Sequence, residues 1–320
     1  MKILANDGLD KSGIVALEKA GFEVDLTTVA QEQLLDYLNK NKVSVLLVRS
    51  ATKVRKDIID NCPTLKIIGR GGVGMDNIDV DYAREKGITV INTPAASSHS
   101  VAELVFAHLF GLVRFLHESN RNMPLVGDSK FNDLKKSYAK GIELKGKTLG
   151  VLGFGRIGQA TAKVALGLGM KVIAFDPFLE AATLELEFFD HQTLFFNIKT
   201  ISKEEVLKQA DFISIHVPAQ KEYVISTKEF DMMKNGAFIV NAARGGVLDE
   251  VALVKAIESG KIAGAALDVF EKEPTPEIQL LMNANLSLTP HIGAATAEAQ
   301  DRIGTELASQ IIEFFNTYNK

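Results

Sequence analysis

Short apolar runs alternate with amphipathic segments along the first hundred residues, and this pattern predicts the first part of the fold. Strands are predicted at residues 2–5, 24–26, 45–48, 67–68 and 88–92, and helices at residues 11–20, 31–39, 54–61 and 80–86. Strands that alternate with helices in this way indicate a parallel sheet. A long amphipathic helix from Ser98 to about Leu116 follows, and we interpret it as a bridge to a second domain.

A second series of strands and helices begins near residue 148. Its predicted strands are residues 148–152, 172–176, 212–218, 237–241, 263–268 and 286–290, and its predicted helices include residues 250–259 and 297–316. Ser202 and Glu205 have the spacing of a capping box, which predicts another helix start. The phenylalanine-rich residues 187–196 have no clear period, and we assign no element there. The predicted fold class is α/β, with two Rossmann-like or flavodoxin-like parallel-sheet domains and a cleft between them.

Composition and charge narrow the class of protein. A chain of 320 residues is longer than one hydrophobic core usually serves, which favours two domains. Hydrophobic residues make up 46% and charged residues 24%, as is ordinary for a folded globular protein. The net charge is −4 and no basic cluster is visible, so nucleic acid is not an expected partner.

The sequence also favours a cytoplasmic location. The most apolar helical stretch, Leu104–Leu116, is interrupted by His108 and Arg114 and is too short to span a bilayer, so no membrane association is expected. The first residues predict a strand and not a signal peptide. The single cysteine, Cys62, excludes an internal disulfide and a cysteine-based zinc site, so we expect a reducing compartment and no bound metal.

The chain is organised around a glycine-rich turn between a predicted strand and a predicted helix. The turn has the pattern G-x-G-x-x-G at Gly153, Gly155 and Gly158. The first glycine permits the tight turn, the second makes room for a pyrophosphate, and the third lets the helix approach the strand. Asp176 ends the next strand, where its carboxylate can accept hydrogen bonds from ribose hydroxyls and would repel a 2′-phosphate. The predicted cofactor is therefore NAD. His216 ends a later strand and is expected to line the cofactor pocket.

Three later strand ends carry an arginine, an acid and a histidine. Arg244 precedes two glycines, Glu273 follows the strand that ends at Asp268, and His291 follows the last strand. An arginine can hold a carboxylate bidentately. A histidine can take the proton of a hydroxyl as hydride leaves, with a glutamate to orient the imidazole and stabilise its charged form. These three residues are the predicted catalytic set, and the substrate is expected to be a small molecule.

Two loops at strand ends of the first domain could bind an anion. The first contains Arg49 and Lys53, and the second contains Arg70 beside Gly72, Val73 and Gly74. Guanidinium and ammonium groups beside the N–H groups of a glycine-rich loop suit a small anionic substrate. The alternative is that Arg49 and Arg70 are ordinary solvated surface charges.

Four motifs, in this order, resemble the D-isomer-specific 2-hydroxyacid dehydrogenases. They are residues 153–158 (GFGRIG), 241–246 (NAARGG), 267–274 (LDVFEKEP) and 289–293 (TPHIG). The resemblance runs from about Val45 to the end of the chain. It implies an NAD-linked Arg–Glu–His mechanism and a homodimer built largely on the nucleotide-binding domains. It also implies a substrate-binding domain of residues 1–98 plus 292–320 and an NAD-binding domain of residues 99–291. Further cofactor contacts are implied at Arg156, Ile157, Val217, Pro218, Ala242, Asp268, Gly293 and Ala294.

The two arginine loops are most similar to those of the family members that oxidise D-3-phosphoglycerate at the start of serine biosynthesis, where both arginines face the phosphate. Because the chain stops at Lys320, we expect no C-terminal regulatory domain of the kind found in longer members. The alternatives that stay open are a glyoxylate or hydroxypyruvate reductase, or another D-2-hydroxyacid dehydrogenase, with the same catalytic residues, and an NAD-responsive corepressor that resembles the family. The family's usual asparagine is missing from residues 95–99, which leaves local contacts there undefined.

Overall fold

A computed structural model describes residues 1–318 of the chain. These residues form two compact units. One comprises Met1–Ser100 and the chain from Ala294 onward, and the other comprises Val101–Gly293. Each division lies two residues from a boundary predicted from the sequence. Asn319 and Lys320, which the sequence places in the first domain, lie outside the described residues.

The first unit is built on a five-stranded parallel sheet. Its strands are β1 (Lys2–Ala5), β2 (Glu23–Asp25), β3 (Val43–Val48), β4 (Ile67–Arg70) and β5 (Thr89–Asn92), in the order β2-β1-β3-β4-β5. The helices between them are α1 (Lys11–Lys19), α2 (Gln31–Lys40), α3 (Lys56–Asn61) and α4 (Val80–Glu85). This strand order is the flavodoxin-like one, and it confirms the predicted class.

The second unit is built on a six-stranded parallel sheet. Its strands are β6 (Thr148–Leu152), β7 (Lys171–Phe175), β10 (Phe212–Ile215), β11 (Ala237–Asn241), β12 (Ile262–Leu267) and β13 (Leu286–Leu288), in the order β13-β12-β11-β10-β6-β7. The order reverses beside β6, the strand that leads into the glycine-rich turn. Such a switch point is where open α/β sheets bind ligands.

The helices of the second unit cover both faces of its sheet. They are α5 (Ser98–Val113), which begins in the first unit, α6 (Leu116–Val126), α7 (Phe131–Ser137), α8 (Arg156–Gly167), α9 (Lys203–Gln209), α10 (Thr227–Met232), α11 (Glu250–Glu258) and α12 (Ile278–Leu281). Helix α9 begins at the predicted capping box of Ser202 and Glu205. The bridging helix α5 is shorter than predicted, because Phe115 adopts a left-handed conformation (φ 53°) that interrupts the helix.

The phenylalanine-rich segment, for which the sequence predicted no element, forms an antiparallel hairpin. Its strands are β8 (Ala181–Glu187) and β9 (Thr193–Lys199), and Thr200 continues as a single parallel bridge to Ala174 of β7. Leu184 and Leu186 are buried, whereas Phe189 at the tip is fully exposed. The alternation is therefore that of a strand with one buried face, but the two phenylalanine pairs obscure it in the sequence.

The last helix, α13 (Ala297–Tyr318), belongs to the first unit. Ile303, Leu307 and Ile311 of α13 are buried in one apolar cluster with Ile3 and Val45 of the first sheet. This packing explains why the end of the chain returns to the unit in which it begins.

Within residues 1–318, no helix is by itself long and apolar enough to cross a membrane. Helices α5 and α6 are long and apolar enough only when they are taken together, and they are bent by 56° where they meet.

Candidate active site

The glycine-rich turn joins β6 to α8 with the geometry that the sequence predicted. Gly153 has φ 91°, and a side chain there would come within 2.7 Å of the carbonyl oxygen of His216. Gly158 faces the carbonyl of Gly153, where a side chain would overlap it. Gly155 caps α8, and a Cβ on this residue would meet nothing within 4 Å. The open space lies at the first turn of a 12-residue helix, which includes Arg156 and Ile157 and whose N–H groups have no partner within the helix. This arrangement fits the pyrophosphate of a dinucleotide.

Asp176 follows β7 and binds the glycine-rich turn directly. Its Oδ2 accepts a hydrogen bond from the N–H of Phe154 (2.7 Å), and its Oδ1 accepts from the N–H groups of Phe178 (2.9 Å) and Leu179 (3.2 Å). Carboxylate oxygens have about four lone-pair positions, so one remains at Oδ2 for a further donor. Asp176 thus shapes the turn, and its contact with ribose stays a prediction.

His216 lies one residue after β10, with Val217 and Pro218 following, and its carbonyl is next to Gly153. Its Nε2 is 2.8 Å from Ser214 Oγ. Burial lowers the pKa of His216 to about 3, so the ring is neutral. Nδ1 is buried and has no hydrogen-bond partner among the described residues. A buried nitrogen in this position suits a residue that adjoins a bound molecule, as the sequence predicted for the cofactor pocket.

The three predicted catalytic residues follow three adjacent strands. Arg244 follows β11, Glu273 follows β12 and His291 follows β13. The Nδ1 of His291 lies 3.0 Å from Oε2 of Glu273, and Oε1 of Glu273 accepts a hydrogen bond from the N–H of Phe270 (3.1 Å). Partial burial favours a higher pKa for Glu273, but His291, the Phe270 N–H and the charge of Arg244 together hold this pKa below its usual value. Glu273 is therefore ionised at neutral pH.

Arg244 is held by its own turn. Its carbonyl oxygen accepts a hydrogen bond from Nδ2 of Asn241 (2.9 Å), and Oδ1 of Asn241 accepts from the N–H of Ala243 (3.1 Å). Its Nη1 donates to the carbonyl of Ala243 (2.6 Å). Gly245 passes so close to the carbonyl of Phe270 that any side chain would overlap it. The Arg244 turn and the Glu273 loop are thus packed together. Ala242, a predicted cofactor contact, is buried at the start of this turn.

His291 lies in a short loop that is held by hydrogen bonds to the carboxylate of Asp268. His291 has φ 55°, a backbone conformation that is uncommon for residues other than glycine. Its N–H donates to the carbonyl of Thr289 (3.1 Å). The buried carboxylate of Asp268 accepts hydrogen bonds from Thr289 Oγ1 (2.7 Å) and from the N–H groups of Ile292 and Gly293 (2.8 Å each). The sequence presented Asp268 as a cofactor contact. The structure adds that it holds the loop, and the cofactor contact stays a prediction.

In the first unit, Arg49 and Arg70 lie at the carboxyl ends of adjacent strands. Val48 of β3 pairs with Arg70 of β4, so Arg49 is the next residue beyond that pair. The Arg49 loop is fixed by side chains that the sequence did not single out. Asp7 accepts hydrogen bonds from the N–H of Arg49 (2.6 Å) and from the N–H and hydroxyl of Thr52 (3.1 and 2.6 Å), and Asn77 donates to the carbonyls of both residues (2.8 and 2.6 Å).

Lys53 ends this loop, and its main-chain N–H and carbonyl pair with the amide of Gln31 (2.9 Å each). In the loop after β4, hydrogen bonds to two carbonyl groups fix the direction of the N–H groups that follow them. The carbonyl of Gly72 accepts from the N–H of Thr93 (3.1 Å), and the carbonyl of Val73 accepts from Asn92 Nδ2 (2.8 Å). Because C=O and the next N–H point in opposite directions across a trans peptide, the N–H groups of Val73 and Gly74 face away from β5.

Gly72 has φ 141°, and a side chain there would overlap the guanidinium of Arg70. Arg70 therefore lies directly over the glycine-rich loop. Ala294, a further predicted cofactor contact, accepts a hydrogen bond from Gln300 Nε2 (2.7 Å) through its carbonyl.

The missed residues share one signal. Asp7, Asn92 and Asn241 are short polar side chains at or just beyond strand ends, and Asn77 lies in the loop between β4 and α4; in such places these side chains satisfy loop backbone groups. The sequence shows this position, but it does not show which loop each side chain would reach.

Comparison with known proteins agrees with this geometry. A family profile described as D-isomer specific 2-hydroxyacid dehydrogenase, NAD binding domain, matches residues 106–293. The chain is 44% identical to a hydroxypyruvate reductase of Thermotoga maritima over 98% of this chain and 97% of the relative. It is 43% identical to a D-3-phosphoglycerate dehydrogenase of Methanocaldococcus jannaschii over 97% of this chain, and it spans 57% of the length of that relative.

The crystal structure of D-lactate dehydrogenase from Aquifex aeolicus, complexed with NAD and lactic acid, has a similar fold. Its TM-score is 0.77 at 29% identity, over 99% of this chain and 96% of that one. Fold, glycine-rich turn and comparisons together define an NAD-dependent oxidoreductase. The chain belongs to the D-isomer specific 2-hydroxyacid dehydrogenase family.

Proposed function

We propose that this dehydrogenase oxidises D-3-phosphoglycerate to 3-phosphohydroxypyruvate, the reaction that opens serine biosynthesis. The observation that carries the proposal is the pair of arginines at adjacent strand ends, Arg49 and Arg70, with Lys53 in the same loop as Arg49. A phosphate bears nearly two negative charges and binds best to several cationic donors. Asp7 and Asn77 hold the backbone of the Arg49 loop, which reduces the entropy lost when an anion binds.

The second unit supports the oxidation step. NAD, when bound, accepts the hydride from the carbon that carries the substrate hydroxyl. His291 takes the hydroxyl proton on Nε2, since its Nδ1 faces Glu273. The ionised Glu273 then stabilises the imidazolium that forms. Arg244 holds the substrate carboxylate, so that the reacting carbon is presented in one orientation.

Reduction of hydroxypyruvate is a second candidate. The hydroxypyruvate reductase of Thermotoga maritima is 44% identical to this chain, and the match covers almost the entire length of both proteins. The match to the phosphoglycerate dehydrogenase of Methanocaldococcus jannaschii covers only 57% of that protein. The catalytic residues of the second unit suit either substrate, because both have a carboxylate next to the reacting carbon. The two candidates therefore differ in whether the first unit binds a phosphate.

A side-by-side substrate comparison tests the proposal. NADH formation is measured with D-3-phosphoglycerate, D-glycerate and D-lactate, and NADH consumption with hydroxypyruvate and glyoxylate. We expect kcat/KM for D-3-phosphoglycerate to exceed that for D-glycerate by at least about 10²-fold, which corresponds to roughly 2.7 kcal/mol of phosphate binding. Equal values for the two, with rapid reduction of hydroxypyruvate, would establish the second candidate instead.

We also propose that the chain forms a homodimer through the second unit. Helix α6 and the start of α7 expose several apolar side chains, among them Leu116, Leu125 and Phe131, which are 61%, 76% and 56% exposed. Monomeric proteins seldom expose such groups together. Light scattering after gel filtration should give twice the mass of the 34.8 kDa chain. The Leu125→Asp variant should have the mass of a single chain.

A further inference from the structure

Helix α5 carries a buried histidine within its apolar face. His108 is only 4% exposed, and its neighbours on that face, Val105 and Leu109, belong to the apolar core of the second unit. Both ring nitrogens have partners on the segment that leads to His291. Nδ1 lies 2.8 Å from Ser287 Oγ, and Nε2 lies 3.0 Å from Thr289 Oγ1. A buried imidazole with two such partners is fixed in orientation.

Thr289 extends this network to the loop of His291. Its Oγ1 donates to Oδ1 of Asp268, and the carboxylate of Asp268 also accepts from the N–H groups of Ile292 and Gly293. These are the two residues that follow His291. A side chain at Gly293 would be crowded, because its Cβ would lie 3.0 Å from Asp268 Oδ2. The network that begins at His108 therefore ends on the backbone that carries the proposed catalytic imidazole.

The position of each proton follows from these contacts. Thr289 gives its hydroxyl proton to Asp268, so its oxygen accepts a hydrogen bond from Nε2–H of His108. Nδ1 of His108 then carries no proton and accepts from Ser287. Burial lowers the pKa of His108, and the negative charge of Asp268 opposes this only in part, so the neutral ring is the form present at neutral pH.

We propose that His108 is a positioning residue for His291, acting through the hydroxyl of Thr289 and the carboxylate of Asp268. The inference rests on the proposed acid–base role of His291. Without the Nε2–H donor, the half-buried Thr289 loses one hydrogen-bond partner at its oxygen, and its hydroxyl no longer has a single preferred direction. One of the three bonds that hold the loop to Asp268 is then weakened. Misplacement of a reacting group by about 1 Å can cost roughly 10²-fold in rate, so a partial loss of position should cost about tenfold.

The test compares three variants of the full chain with saturating NAD. His108→Leu removes both hydrogen bonds, whereas His108→Gln retains an amide donor for Thr289 and an acceptor for Ser287. Leu109→Ala, at the adjacent and fully buried position of α5, measures a loss of packing alone. We expect His108→Leu to lower kcat about tenfold with KM for NAD unchanged, and His108→Gln to recover most of that loss. Leu109→Ala should lower the melting temperature with kcat unchanged.

A double variant separates positioning from packing. If His108 acts through Thr289, His108→Leu should lower kcat no further in a Thr289→Val background. Additive losses, or a normal kcat in His108→Leu despite a melting temperature as low as that of Leu109→Ala, would overturn the proposal. His291→Ala, measured in parallel, distinguishes failure of the positioning role of His108 from failure of the acid–base role of His291. A large loss there with normal turnover in His108→Leu removes only this inference, whereas normal turnover in His291→Ala removes the proposed role of His291 as well.

Discussion

His291 Nδ1 and Glu273 Oε2 lie 3.0 Å apart, and both side chains remain more than one third exposed. The pair joins the ends of β12 and β13, which are neighbours in the sheet. Because Nδ1 is engaged with the carboxylate, Nε2 is the nitrogen available to a substrate hydroxyl. The backbone of His291 is left-handed, and residues in such strained conformations concentrate at functional sites.

Replacement of His291 by alanine should lower kcat by roughly 10²–10⁴-fold, the usual range for general acid–base catalysis. The affinity for NADH should stay nearly unchanged, because the glycine-rich turn and Asp176 are untouched. Steady-state kinetics and a fluorescence titration with NADH measure the two quantities. His191→Ala, at an exposed position in the turn between β8 and β9, is the matched control and should behave as wild type. Normal turnover in His291→Ala would exclude this residue as the base.

Glu273→Gln should lower kcat less than His291→Ala does, because the amide still orients the imidazole but no longer stabilises its charge. It should also change the dependence of stability on pH. The pKa of Glu273 is below its usual value in the folded chain, so its carboxylate stabilises the fold above a pH of about 4.3, and this contribution is lost as the pH falls through the lowered pKa. Thermal unfolding from neutral to acidic pH should show wild type and variant converging in acid. A constant difference would contradict this origin.

The positions of the glycine-rich turn, Asp176 and the three proposed catalytic residues were predictable, because each depends on local order along the chain: a strand, a turn and a polar residue at the strand end. Asp268 shows where such reasoning stops. The family resemblance implied a cofactor contact for Asp268, and the structure shows that its carboxylate binds the backbone of a loop 24 residues later. In the same way, His108 was visible only as an interruption of an apolar helix, because its partners come from β13 and the residues after it. Tertiary pairing decides such roles.

Asp176→Asn should lower the ratio of kcat/KM with NAD to kcat/KM with NADP by at least about tenfold. A carboxylate about 4 Å from a 2′-phosphate costs roughly 1 to 4 kcal/mol, depending on screening, and the amide removes that repulsion. The ratio of kcat/KM for the two cofactors measures the effect. Asp176→Ala should narrow the ratio as well, but with a larger loss of thermal stability, since it leaves the N–H groups of Phe154 and Phe178 without their acceptors. Equal use of both cofactors by the wild type would refute this role.

Asp7→Ala should raise KM for D-3-phosphoglycerate several-fold while KM for NAD stays unchanged. Asp7 bears no direct role in binding, but it holds the backbone of Arg49 and Thr52, so its loss frees the loop. Asp10→Ala is the matched control. Asp10 caps α1 through the N–H and hydroxyl of Ser12, and its removal should lower the melting temperature without changing KM. If both variants raise KM equally, general destabilisation explains the effect.

The choice of substrate depends on the arginines of the first unit. A charge-assisted hydrogen bond contributes about 1.5–3 kcal/mol, so Arg49→Ala or Arg70→Ala should each raise KM for D-3-phosphoglycerate at least about tenfold, the equivalent of 1.4 kcal/mol. Turnover of D-glycerate should hardly change, because it has no phosphate to lose contact with. Arg84→Ala removes an exposed arginine on α4 and should leave both substrates unaffected.

The ratio of kcat/KM for D-3-phosphoglycerate to that for D-glycerate decides between the two candidate substrates. If the arginines bind phosphate, this ratio falls in Arg49→Ala and Arg70→Ala and falls further in the double variant, since two guanidinium groups at adjacent strand ends can share one dianion. Inorganic phosphate should then inhibit the wild type competitively and the double variant weakly. Equal losses on both substrates would mean that these arginines support the fold or the carboxylate, and hydroxypyruvate reduction would become the favoured function.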